Sequence, residues 1–126
     1  MDKTFIVLGS LLLFLGVAFG AFGAHILKSK LSADMLNVFE TGVHYHMIHA
    51  LGLLLVALFA DKFPHAGVWI GWSGWSLFAG ILLFSGSLYA LSITGIRMLG
   101  IITPFGGVAF LIGWICLAVA ALKGGA

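Results

Sequence analysis

A chain of 126 residues that is 62% hydrophobic and only 8% charged cannot wrap its apolar residues in a water-soluble shell, which takes about 25% charged residues. Its mean hydropathy of +1.20 belongs to a protein that lives in lipid. The formal charge of +2 rests on scattered residues, which excludes the basic face of a nucleic-acid binder, and the lone Cys116 excludes an internal disulfide or a CxxC redox pair.

Four apolar stretches, residues 5–24, 42–60, 67–93 and 103–122, fill most of the chain. Each is close to the roughly 20 helical residues that cross a hydrocarbon core. The expected architecture is all-α and integral to the membrane. It is one domain over residues 1–126, an up-down bundle of four helices.

The first stretch competes with a secretory leader, since Met1-Asp2-Lys3 resembles a short charged start and small residues cluster at Gly20–Ala24. The apolar run is longer than the 7–15 residues of a leader core. Gly9, Gly16, Gly20 and Gly23 are 7, 4 and 3 residues apart and fall on one helical stripe. A glycine stripe lets a neighbouring backbone come close in lipid, where dispersion contacts replace the hydrophobic effect. These four are expected to be helix-packing positions.

The second helix should begin near residue 32, with Ser32 as N-cap and Asp34 in the positively polarised first turn. Asp34, Asn37, Glu40, Thr41 and His44 then share one side, and the pattern turns apolar all round after Met47. This predicts an amphipathic extension that precedes the span. It places Tyr45, His46 and His49 inside the membrane near one boundary, on or beside a face shared with Gly42 and Gly52. Glu40 and His44, four residues apart, have the spacing of an interfacial ion pair.

Pro64 within Asp61–His65 makes a turn. The third helix carries two small-residue stripes. One holds Gly67, Gly71, Gly74, Phe78, Ser85, Tyr89 and Ser92; the other holds Ser73, Ser76, Gly80 and Ser87. Two such stripes suit a helix with neighbours on both sides. Trp69, Trp72 and Trp75 crowd its start as interfacial anchors do. Thr94-Gly95 predicts a C-terminal stop, residues 96–102 a short connection, and Thr103-Pro104 a capped start for the fourth helix. Gly106 and Gly113 lie on that helix's packing stripe.

Several blocks together carry a resemblance: Gly20-Ala-Phe-Gly-Ala-His25, Glu40-Thr-Gly-Val-His-Tyr45, His49-Ala-Leu, Leu83-Phe-Ser-Gly-Ser-Leu-Tyr89, Thr94-Gly95 and Leu99-Gly-Ile-Ile-Thr-Pro104-Phe-Gly-Gly107. The chain resembles the small bacterial membrane proteins of domain-of-unknown-function family 423, the UPF0382-like group related to transmembrane protein 256. The resemblance covers nearly the whole chain and implies four transmembrane helices, no established activity and a bacterial plasma (inner) membrane location. The pattern the chain resembles usually carries Gln where this chain has His46, and an obligatory metal ligand would not be expected to alternate with glutamine.

Lysine and arginine bias should set orientation. Lys3, Lys62 and Lys123 on one side face Lys28, Lys30 and Arg97 on the other, so the two sides tie. Three function classes follow from the residues. The first is a structural or interaction protein that packs through its glycine stripes, with lipids, further copies of itself or another membrane protein as partners. The alternative is a binding or transport module with a polar pocket of His25, Tyr45, His46, His49, Ser85, Ser87 and Tyr89 near one boundary. The third is a metal or haem site, for which His46-x-x-His49 would need a third ligand. No catalytic motif is present, so no enzyme activity and no cofactor are expected.

Overall fold

The computed structural model describes Lys3–Gly124. Among these residues every regular element is helical, and four helices are long and apolar enough to cross a membrane: α1 Thr4–Leu27, α2 Ala33–Ala60, α3 Pro64–Thr94 and α4 Arg97–Gly124. Their connections are only a few residues long, which forces successive helices to run antiparallel.

Local chemistry fixes the helix ends. The Ser32 hydroxyl accepts the Met35 N–H at 3.1 Å, as expected of an N-cap. Gly95 ends α3 with φ +73°, a left-handed conformation that only glycine adopts cheaply, and its N–H bonds the Leu91 carbonyl at 2.8 Å. The fourth helix starts differently from the expectation. Arg97–Ile101 already form a 3₁₀ turn, and Thr103 is the first residue of the α-helical part rather than its cap. Its hydroxyl is drawn to another helix instead.

Two π turns interrupt the helices, Ala18–Gly23 in α1 and Ile81–Ser85 in α3. Each widens one turn and rotates the residues beyond it away from the face that a regular 3.6-residue period would give them.

The two inner helices, α2 and α3, pack against each other along their length; α1 lies on α2, and α4 lies on α3. Phe5, Leu53, Val56, Ile70, Leu77 and Phe110 are nearly or fully buried between them. The glycine stripe of α1 faces α2 in antiparallel order. A Cβ at Gly9 would stand 2.9 Å from the Ala50 carbonyl oxygen; Gly16 lies against Met47, Gly20 against Val43 and Gly23 against Phe39. Gly16 is enclosed, whereas Gly20 sits at the exposed edge of the contact.

On α3, Gly74 leaves the space that the Phe5 ring fills, and on α4 Gly106 lies against the backbone of Phe84 and Gly113 against Leu77. Gly71 does not pack: nothing lies within 4 Å of where its Cβ would be. Phe5 is the first buried residue of α1, and Gly71 is almost a turn of α3 beyond it. Three further glycines receive large side chains: Gly42 meets Tyr89, Gly52 meets Trp114, and Gly80 meets Phe110.

Candidate functional site

The buried polar side chains within the spans, His46, His49, Ser73, Ser85, Ser87 and Ser92, are each hydrogen-bonded to another group of the protein. At the centre is His46, 2% exposed. Its Nε2 is 2.7 Å from the Leu12 carbonyl oxygen of α1, and its Nδ1 is 2.7 Å from the Tyr89 hydroxyl of α3. A carbonyl can only accept, so Nε2 carries the proton. In the neutral ring Nδ1 is then the acceptor, and Tyr89 donates to it. One imidazole thereby links three helices. Helical side chains lean over the preceding turn, so a side chain at residue 16 would screen the Leu12 carbonyl. Gly16 leaves that carbonyl open, and its missing Cβ would lie 3.5 Å from His46 Cδ2.

Both π turns converge on this clasp. Phe19, within the first, stands edge-on to Tyr89 with ring centroids 5.2 Å apart and also contacts Phe39 and His46. Ser85, ending the second, donates to the Gly42 carbonyl of α2 at 2.7 Å. Gly42 is also where the Tyr89 ring closes on α2.

The other stripe of α3 serves α4. Ser73 donates to the Gly113 carbonyl at 2.7 Å, and the Ser87 and Thr103 hydroxyls lie 2.6 Å apart. The two-sided reading of α3 therefore matches the contacts. Its first stripe meets α1 and α2 through Gly74, Ser85 and Tyr89, and its second meets α4 through Ser73, Gly80 and Ser87.

The seven expected pocket residues do not form one pocket. His25 is exposed at the end of α1 and joins none of the others. Ser87 faces α4, away from His46. His49 turns to α4 as well. Its ring stacks on Phe110 at a centroid distance of 3.5 Å, and its Nδ1–H donates to its own helix at the Tyr45 carbonyl, 2.7 Å away. Tyr45 is 38% exposed and its ring lies against Phe84.

His46 bonds Leu12, about midway along α1, and His49 stacks on Phe110, midway along α4. Both imidazoles therefore lie near the middle of the bundle's length. The expected Glu40–His44 ion pair is not formed among the described residues. In the high dielectric at an exposed helix surface such a contact gains little. Both side chains instead line an open groove of about 350 Å³ with Gly20, Ala24 and Met47, and the His44 ring lies edge-on to Tyr45.

As a ligand set the histidines are poorly placed. Both His46 nitrogens are engaged by protein atoms, and no group of three His, Cys, Asp or Glu side chains converges among the described residues. Sequence reasoning missed Leu12, Phe19 and Thr103. Leu12 acts through its carbonyl, which no side-chain pattern reveals, and Phe19 is one of eleven phenylalanines. Thr103 was noticed for the wrong bond.

Four apolar helices joined by interior polar bonds define an integral membrane protein of the four-helix type. The sequence pattern of a family described as a protein of unknown function, DUF423, matches residues 19–107, which is well over half of the chain. Among curated relatives, the UPF0382 membrane protein YwdK of Bacillus subtilis is 56% identical over 96% of this chain and 98% of its own length. The UPF0382 membrane protein SERP0230 of Staphylococcus epidermidis is 48% identical over 96% and 97%, and SAB0533 of Staphylococcus aureus is 47% identical over the same shares. The chain belongs to the DUF423 (UPF0382) family of membrane proteins. No solved structure matches it.

Proposed function

We propose that the protein is a non-enzymatic structural or interaction component of the bacterial plasma membrane, with lipids and other membrane-protein surfaces as its partners. One observation carries the reading. Among the described residues, every fully buried side-chain nitrogen or oxygen has a hydrogen-bond partner within the protein. A catalytic or transport centre keeps polar groups available for substrate. Here His46, Tyr89, Ser73, Ser85 and Ser87 hold helices or neighbouring turns together instead.

The test is complementation scaled to abundance. The parent, His46→Leu and Ser85→Ala are expressed in a deletion strain, and each phenotype is divided by the amount of protein in the membrane. The expected result is that function follows abundance. A variant present at the parental level, equally stable and yet inactive would assign its residue a chemical role and overturn the reading.

A further inference from the structure

We propose that the open groove between α1 and α2 binds a lipophilic amine, its ammonium held by Glu40 and His44 and its hydrocarbon tail laid along the groove. The site adds to the structural reading above and does not depend on it. The groove encloses about 350 Å³. Gly20 and Ala24 line it from α1, and Glu40, Val43, His44 and Met47 line it from α2. It lies at the π turn Ala18–Gly23, which contains Gly20 and widens α1 there.

Glu40 and His44 differ from the interior polar groups in being uncommitted. Both are exposed. Among the described residues Glu40 has no hydrogen bond or ion pair, and His44 has only its edge contact with Tyr45. Their depth gives that freedom a meaning. Helix α2 has 28 residues, about 42 Å at 1.5 Å per residue. A hydrocarbon core of about 30 Å centred on it begins near Asn37. Glu40 lies almost a turn further in, and helical side chains lean toward the N-terminus, so its carboxylate reaches the core's edge. An opposite charge beside a carboxylate so close to the core stabilises it.

The chemistry of the two groups selects the ligand. The Glu40 carboxylate offers two acceptor oxygens, and an imidazole in its neutral form offers one acceptor nitrogen. A primary ammonium brings one positive charge and N–H donors for both. A phosphate or carboxylate head would be repelled by Glu40. A metal ion usually takes three protein ligands, and no group of three His, Cys, Asp or Glu side chains converges among the described residues. Toward the middle of the bundle the groove turns apolar, through Met47 and Ile48. Gly20 keeps it open, since a Cβ there would stand 3.1 Å from Val43. Charge at the edge of the core and hydrocarbon below it is the order in which an amphiphile lies in a leaflet. A free long-chain amine suits this order better than an ethanolamine phospholipid, whose ammonium lies beyond its phosphate, outside the hydrocarbon.

The experiment uses the full chain in phosphatidylcholine nanodiscs, whose lipid head has no N–H, with radiolabelled dodecylamine as the probe. Binding above that of empty discs should saturate at one amine per chain. Glu40→Gln alters only an exposed side chain and should weaken binding about tenfold or more, as for a lost hydrogen bond to a charged group. Ala24→Leu narrows the groove from the α1 side, leaves Glu40 in place and should weaken binding too. His44→Phe should weaken dodecylamine but not dodecyltrimethylammonium, which has no N–H to give. Dodecyl sulfate, with the same chain and the opposite charge, should show no saturable binding. Melting of each variant without ligand, expected at the parental temperature, checks that the fold is kept.

Dodecylamine binding that does not saturate, or that is indifferent to Glu40→Gln, overturns the inference. Equal saturable binding of dodecyl sulfate also overturns it, because the groove would then be an apolar slot without a charge site. Phosphatidylethanolamine added to the discs should leave the affinity unchanged. If it displaces dodecylamine from the parent, the occupant is the lipid headgroup and the free amine is ruled out. None of these results touches the abundance-scaled complementation, so the structural reading fails or stands separately.

Discussion

The His46 imidazole and the Tyr89 hydroxyl, 2.7 Å apart, join α2 to α3, while the opposite ring nitrogen holds α1 through Leu12. Protonation is dictated by the carbonyl, so the clasp has a direction: Tyr89 gives to His46, and His46 gives to Leu12. Removing either end leaves the ring with an unmet need in a place where water cannot meet it.

That direction makes the substitutions unequal. Tyr89→Phe deletes one donor and leaves Nδ1 bare. The loss should be about 1–3 kcal/mol, the range for a buried group left unsatisfied. His46→Leu removes both bonds and orphans the Tyr89 hydroxyl, so it should cost more. His46→Gln carries a donor and an acceptor and should retain part of the clasp. Thermal unfolding in detergent should rank the parent first, then His46→Gln, then His46→Leu. Equal melting temperatures for Gln and Leu would show that the bonds do not matter.

A second expectation separates glycines that pack from those that do not. Leucine at residue 16 would collide with Met47 on α2, whereas leucine at residue 71 meets open space. Gly16→Leu should destabilise by about 1–3 kcal/mol through overpacking, and Gly71→Leu should be near neutral. Both residues were expected from sequence to be packing positions, so the pair tests the structure against the pattern. Equal melting temperatures for the two variants would count against the α1–α2 contact.

The serines that bind α3 to its two neighbours should act independently. Ser85 reaches Gly42 on α2, and Ser73 reaches Gly113 on α4. Each Ser→Ala change should cost about 0.6 kcal/mol, the average for interhelical bonds in a membrane protein. The double variant should then lose the sum, because the sites share no partner. A marked departure from additivity in the unfolding free energies would mean that α3 transmits strain between its two faces.

Much of this arrangement is legible in the sequence, and the failures share a cause. Ser32, Gly95 and the α1 glycine stripe declare themselves because capping chemistry and helical spacing are local. The two faces of α3 are visible because small residues recur at a helical period. A π turn has no such signature. The extra width at Ala18–Gly23 turns the residues after it, and His25 ends exposed rather than beside Tyr89. The change in polarity near Met47 is visible in the sequence, but the carbonyls of Leu12 and Tyr45 that bond His46 and His49 near the middle of the bundle's length are not.

Gly95 gives the last prediction. Its φ of +73° lets α3 stop and turn within two residues into the 3₁₀ turn Arg97–Ile101, and Thr94 braces the turn by accepting the Ile96 N–H at 3.2 Å. A Cβ at residue 95 meets no neighbour within 4 Å, so any effect of Gly95→Ala must come from the backbone rather than from packing. An L-residue in the left-handed region costs about 1–2 kcal/mol. Gly95→Ala should therefore lower the melting temperature in detergent, whereas Gly95→Asn, which tolerates that region better, should recover part of the loss. Should alanine and asparagine prove equally harmless, the backbone at this turn would have to differ from the one described.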